Sequence, residues 1–321
     1  MIATPILHSA AARPWRDARV LLTGASGFIG QHIAQQGVAE KAHLFALGRT
    51  PGPAGTTFVA ADLRDGAAIE AAVREIAPDL ILHLGSPGVA FGSADFTEIL
   101  TTLVTGGSAL LSAAAALASP PHFVQTGSGL EYAPQQRPIS EIDPIIPASS
   151  SYGAAKAAAA ALLGGFHGAL PITLVRPFNV YGAGDVALRL GNAIITKAVA
   201  GETINVSKGE QVRDFLHIDD FATLLWRLAA MPPAEKGFAC FNAGSGKPRA
   251  LREYIAVIAT ALEQAGVTAR PCFGALPYRN GEPMLCVPDL TALHAACDWR
   301  PRVAFATGVI NNVHWRLAQC A

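Results

Sequence analysis

The sequence predicts an α/β fold, a doubly wound parallel sheet joined to a smaller, mixed C-terminal domain. Three observations carry this. A glycine turn at Gly24, Gly27 and Gly30 separates an apolar strand-like run, Val20, Leu21 and Leu22, from an amphipathic helix-like segment. Short apolar runs then alternate with helical segments through the first half of the chain, which is the pattern of a parallel sheet covered on both faces. Beyond about residue 177 the alternation loosens into several insertions and a tail.

The turn sits within Arg19 to Gly30, RVLLTGASGFIG. Gly24 lets the chain turn sharply, Gly27 lets backbone approach a pyrophosphate, and Gly30 lets the helix pack on the strand. The helix N-terminus presents N–H groups and a positive dipole end to phosphates. Turns collect glycine for steric reasons alone, so the strand before and the helix after give this one its meaning. The pattern next predicts a helix over 28–38, a strand over 43–47 closed by Gly48 and Arg49, and a strand over 57–61 ending at Asp62 and Leu63. A helix over 67–76, a strand over 80–84, a long helical stretch over 96–117 and a buried strand over 123–126 follow. Ligands of such sheets sit at the carboxyl ends of the strands.

Residues 133–149, rich in Pro and polar side chains, read as a surface loop, and serines 149–151 as caps for a helix from Tyr152. That helix and the segment 106–118 carry very small side chains, which permit close packing on their own sheet and equally a homodimer across a two-fold axis. A sixth strand over 170–176 comes next, then a helix over 188–200, a strand near Ile204, RDFLHIDD at 213–220, a helix to about Ala230 and a strand over 239–242. Helices over 251–263, 290–296 and 307–317 complete the chain. Residues 1–176 thus read as a dinucleotide-binding domain with a return segment near 213–242, and 177–321 as mainly a substrate-binding domain.

With 321 residues, 51% of them apolar, the chain can bury a full core. Net charge is zero, so neither nucleic acid nor an anionic membrane has an electrostatic footprint here, and a small-molecule partner is expected. Five cysteines without a CxxC pair point to a reduced, cytoplasmic setting. Residues 1–18 lack a positive n-region and read as a loose extension. No uninterrupted apolar run approaches the roughly 20 residues that span a bilayer.

Tyr152 and Lys156 stand four apart on a predicted helix, hence on one face. An ammonium one turn away favours the phenolate, so the pair suits proton transfer, and the lysine can also bind a cofactor ribose. Ser128 ends the strand before it, where its hydroxyl can orient a substrate carbonyl; Thr126 is the competing hydroxyl. His217, Asp219 and Asp220 resemble metal ligands in type, but an Asp N-cap for the following helix suits them better, and no other His/Cys cluster points to a metal.

TGxxGxxG at 23–30, Asp62-Leu63, DLILHLGS at 79–86, a strand-end serine, YxxxK, RPFNVYG at 176–182, RDFLHIDD and a late DWRP at 298–301 together resemble the extended short-chain dehydrogenases/reductases. More narrowly, the chain is similar to the NAD(P)-dependent sugar-nucleotide epimerase/dehydratase family. The resemblance implies a Rossmann-type fold and a catalytic set of Ser128, Tyr152 and Lys156. It implies a cofactor site of Gly24, Ser26, Gly27, Phe28, Ile29, Gly30, Arg49, Asp62, Leu63, Leu84 and Gly85 with Tyr152 and Lys156, Asp62 contacting the adenine. It implies a nucleotide-sugar site of Ser86, Ser128, Asn179, Arg213 and Arg279. Structural roles compete for some of these: Asn179 can brace a turn, and Arg213 can pair with Asp214.

Two departures refine the expectation. NAD-using relatives usually end the second strand with Asp; here Gly48 is followed by Arg49, which favours NADP(H) over NAD(H). Gly129 and Leu130 replace the Asp-Glu pair of the 4,6-dehydratases, which disfavours elimination of water. The sequence therefore predicts NADPH-dependent reduction of a nucleotide-linked 4-keto-6-deoxyhexose. An NAD-dependent sugar-nucleotide 4-epimerase is the alternative, and a non-catalytic dinucleotide sensor the remote one.

Overall fold

The computed structural model describes residues 15–87, 95–146 and 150–320. The expectations for most of the N-terminal extension and for Ser149 as a cap lie outside these residues. Apolar β1 (Arg19–Thr23) runs into the glycine turn and α1 (Phe28–Ala39) leaves it, followed by β2 (His43–Gly48), β3 (Thr56–Ala60), α2 (Gly66–Ile76) and β4 (Leu80–His83). α2 starts where the Asp65 carboxylate accepts from the N–H groups of Ala67 and Ala68. The long helical stretch opens at Asp95, which caps Thr97 and Glu98. It runs as α3 (Phe96–Leu100), a π-helical turn Thr101–Gly106 and α4 (Gly107–Ala115). β5 (His122–Thr126), α5 (Ser151–Leu163) and β6 (Ile172–Pro177) complete this half, with the Ser150 hydroxyl capping Gly153 N at 3.0 Å.

The second half adds β7 (Asn179–Tyr181), α6 (Leu190–Val199), β8 (Ile204–Val206), β9 (Val212–His217), α7 (Ile218–Ala229) and β10 (Phe238–Ala243). β11 (Pro248–Ala250), α8 (Leu251–Gln264), β12 (Pro271–Phe273), β13 (Leu285–Cys286), α9 (Thr291–Ala296) and α10 (Phe305–Cys320) follow. The large sheet has seven parallel strands in the order β10-β6-β5-β4-β1-β2-β3. Its order reverses between β1 and β4, and there a doubly wound sheet opens its crevice. Fold class is thus Rossmann-type α/β.

Within residues 213–242, β9 joins the small sheet with β7, β11 and β13, whereas β10 joins the large one. α7 lies on α1, with Trp226 Nε1 donating to the Ile33 carbonyl at 3.0 Å. A second return was not foreseen: Leu290, Leu293, Cys297 and Trp299 pack into the same core as Val20, Leu22 and Phe241. A separate core, with Ile194, Tyr254, Ile258 and Val309, holds α6, α8 and α10 together.

Several local expectations need correction. Part of the surface loop at 133–149 is packed: Ile139 is buried, donates to the Val287 carbonyl and accepts from Asp289 N, while Asp143 is held by Arg137. α7 is capped by the His217 imidazole, not by an Asp; Asp220 instead accepts from Arg302 N and Val303 N. Arg213 does not pair with Asp214, whose carboxylate takes the N–H groups of Ser245 and Gly246. The short strands β7, β11, β12 and β13 have too few residues to show a period. All five cysteines are free thiols.

In the small-sided helices, Gly106 and Gly153 serve close packing inside the chain. A Cβ on Gly106 would meet the Leu63 carbonyl oxygen at 2.3 Å, and one on Gly153 the Leu130 oxygen at 2.3 Å. By length and composition the run Phe96–Ala115 could cross a membrane, yet its Leu103, Leu110 and Leu111 are buried in this fold.

Helix α1 also holds the loop that follows β7. His32 Nε2 meets the Ala183 carbonyl at 2.9 Å and Nδ1 the Asp219 carboxylate at 3.0 Å. Burial alone pulls the His32 imidazole down, but these hydrogen bonds and the carboxylate charge outweigh it and hold it above its ordinary value. Such a histidine contributes stability that is present below its unfolded value near 6.5 and lost as pH rises through the folded value. His32→Ala is therefore expected to cost more stability at pH 5.5 than at pH 8.5, by less than about 1 kcal/mol given the exposed partner. Urea midpoints at the two pH values check this; an equal loss at both would show that the contact is packing alone.

Candidate active site

A cleft of about 780 Å³ opens at the carboxyl ends of β1, β4, β5 and β6. Gly24, in the left-handed region at φ 73°, is so close to the chain after β4 that a Cβ would lie 2.8 Å from Gly85 Cα. A Cβ on Gly30 would lie 1.9 Å from the Gly24 oxygen. Among the described residues no side chain caps α1, so its first-turn N–H groups are open to a ligand where Phe28, Ile29 and Gly30 line the cleft. Thr23 braces the cradle: its hydroxyl accepts from Leu84 N and Gly85 N, leaving its proton for His83 Nδ1 at 2.8 Å. Burial pushes His83 down to about 3, so it stays neutral. This cradle fits a dinucleotide pyrophosphate.

At the far end of the same cleft lie Arg49, Asp62, Leu63, Arg64 and Glu98, with Ser26 bonded to Thr50 at 3.0 Å. The Arg64 guanidinium grips both Asp62 oxygens, at 3.0 and 2.6 Å, and holds that carboxyl at about 2. Arg49 is 3.7 Å from Glu98. At the other end stand Ser128, Tyr152 and Lys156. Lys156, buried, donates to the Thr126 carbonyl at 2.8 Å with its ammonium 5.9 Å from the Tyr152 ring centre. Ser128 Oγ accepts from Leu130 N at 3.1 Å, which leaves the hydroxyl proton for another acceptor. Its backbone N–H donates to Glu131 at 2.7 Å, and Glu131, fully buried, pairs with Arg176 at 2.7 Å.

Asn179, Arg213 and Ser86 line the cleft as well, Arg213 steadied by the Pro283 and Val212 carbonyls. Of the residues expected from sequence, only Arg279 is not among the lining residues; it is exposed, in a turn closed by Glu282. Sequence reasoning missed Glu98, Arg64, Phe178, Leu188 and Cys286, which share the lining. It also missed Glu131, although Ser128-x-x-Glu131 has capping-box spacing, a signal that was available. Among the described residues no His/Cys/Asp/Glu group could hold a metal.

Residues 20–244 match the family described as the NAD dependent epimerase/dehydratase family. The UDP-glucose 4-epimerase of Mycolicibacterium smegmatis is 30% identical, covering 92% of this chain and 98% of that one. The dTDP-4-dehydro-6-deoxy-D-allose reductase of Streptomyces bikiniensis is 31% identical over 67% of this chain and 73% of its own. The solved structure of MoeE5 in complex with UDP-glucose and NAD superposes with a TM-score of 0.82 at 25% identity, covering 94% of this chain and 99% of that one. With its nucleotide cradle and its Ser128, Tyr152 and Lys156 at one cleft, the chain belongs to the NAD dependent epimerase/dehydratase family, NAD(P)-dependent enzymes of the extended short-chain dehydrogenase/reductase type.

Proposed function

We propose that the protein is an NADPH-dependent reductase of a nucleotide-linked 4-keto-6-deoxyhexose. The observation that carries the reading is the end of β2, where Gly48 offers no carboxylate to a ribose 2′-OH and Arg49 lines the cleft with its side chain exposed. NADP(H) that exchanges at each turnover suits a reductase. The wall after Ser128 argues against dehydration: Gly129 and Leu130 carry no acid, and Glu131 is turned onto Arg176.

The bound nicotinamide would supply the hydride. Tyr152 would give its phenolic proton to the keto oxygen, and the Ser128 hydroxyl would orient that oxygen by donating to it. Lys156, pinned by the Thr126 carbonyl, would stabilise the phenolate left on Tyr152 and use its remaining donors on the ribose. Asn179 and Arg213 would hold the nucleotide diphosphate and sugar, and a homodimer through 106–118 and 152–166 is compatible with this arrangement.

A sugar-nucleotide 4-epimerase is the second reading, favoured by the nearly full-length match to the M. smegmatis epimerase. It would use the same residues and retain its cofactor. Following NADPH and NADH oxidation with GDP-, CDP-, dTDP- and UDP-linked 4-keto-6-deoxy sugars separates the two. Tightly retained NAD, with no NADPH consumed by any of them, would sink the reductase reading. Arg49→Ala is expected to weaken NADPH on the order of tenfold and NADH little. Equal losses for the two cofactors would remove the 2′-phosphate assignment.

A further inference from the structure

The acid that is missing from the end of β2 returns from another element. Glu98 lies in the first turn of α3, where its backbone N–H is held by the Asp95 cap at 3.3 Å, and it lines the same cleft as Arg49. Its Oε1 is 3.7 Å from Arg49 Nη1, and its side chain is about half as exposed as that of Arg49, 34% against 64%. The neighbouring Arg64 is already taken by both oxygens of Asp62, and it also feels the charge of Glu98. The corner thus holds two guanidiniums and two carboxylates, with a formal balance of zero. Sequence alone shows a bare arginine at the strand end; the fold gives that arginine a counter-ion.

We propose that Glu98 is the residue that limits this site's preference for a 2′-phosphorylated dinucleotide. The proposal rests on the reading of Arg49 as the 2′-phosphate partner. A phosphate monoester carries close to two negative charges at neutral pH. To reach Arg49 it must draw the guanidinium from Glu98 and sit beside a carboxylate of like sign. A ribose 2′-OH meets no such repulsion and can donate a hydrogen bond to the same carboxylate. Glu98 therefore opposes NADP(H) without opposing NAD(H), and the ratio of the two affinities is set by the Arg49–Glu98 pair, not by Arg49 alone.

The test is an equilibrium titration of nicotinamide fluorescence with NADPH and with NADH, on the full chain freed of co-purified nucleotide. Wild type, Glu98→Gln and Arg49→Ala are compared, each first shown to be folded by circular dichroism. Glu98→Gln keeps the shape and one acceptor oxygen and removes the charge. It is expected to tighten NADPH by about three- to fivefold, the size of a partly exposed charge contact, and to leave NADH within about twofold or weaker. Unchanged NADPH affinity, or an equal gain for both cofactors, overturns the proposal. If Arg49→Ala selectively weakens NADPH while Glu98→Gln does nothing, the role of Glu98 alone falls. If Arg49→Ala weakens both cofactors alike, the 2′-phosphate reading falls, and the proposal with it.

Discussion

Replacing Tyr152 by Phe is expected to lower kcat by about 10²- to 10⁴-fold, the span that a positioned general acid contributes. By the rate equation that loss equals roughly 3 to 5 kcal/mol of barrier. The geometry makes the loss specific. Lys156 does not depend on the phenol for its place, because the Thr126 carbonyl already holds its ammonium at 2.8 Å. The α5 cap at Ser150 and the close packing of Gly153 on Leu130 are untouched by removing one oxygen. The variant should therefore fold, bind NADPH as tightly as wild type and fail in proton delivery. Ser128→Ala is the matched control, since it removes the orienting hydroxyl and leaves the acid. Steady-state kinetics beside fluorescence titration of NADPH checks both. A kcat reduced less than tenfold would mean that the proton comes from elsewhere, and an unchanged function in every assay would favour the dinucleotide sensor.

What was legible in the sequence follows from how local each signal is. The strands of the large sheet were readable because each carries a short apolar run, and β4, β5 and β6 are buried along their whole length. The glycine turn and YxxxK were readable because each lies within one strand-turn-helix unit or one helical turn. Arg49 was visible for the same reason. Its counter-ion was not, because Glu98 stands 49 positions later on a helix whose distance from β2 is set by the fold. The loop at 133–149 misled because Pro and polar side chains signal a turn without saying whether its backbone is packed, and Ile139 bonds to Val287 and Asp289, far along the chain. His217 escaped as a cap because imidazole is a rarer N-cap than carboxylate, and two carboxylates stood beside it. Arg279 was placed by motif match alone, and the turn that carries it leaves it outside the lining of the cleft.

Glu131→Ala is expected to cost about 3 to 5 kcal/mol of folding stability, the cost of breaking a buried ion pair by removing one partner. Glu131 is fully buried and Arg176 nearly so, so truncation leaves a guanidinium without its counter-charge and Ser128 N without an acceptor. The bonds from Arg176 to the Tyr132 hydroxyl and the Cys240 thiol survive, but neither supplies a negative partner to replace the carboxylate. Two further variants divide the loss. Glu131→Gln keeps an oxygen for Ser128 N but removes the charge and sets an amide NH2 against the Arg176 Nε–H in place of the second oxygen, so it should lose most of the stability and less of kcat than Glu131→Ala. The double change Glu131→Leu with Arg176→Met removes both charges together. It should recover most of the stability, since replacing a buried pair by apolar groups of similar volume is often neutral or better. Tyr132 remains satisfied there because its hydroxyl donates to Asn242. The Ser128 N–H does not, so the double variant should fold well and still turn over slowly. Urea denaturation read beside kcat follows both effects. If the double variant recovered stability and full activity together, Glu131 would be a folding residue only and Ser128 would hold its place without it.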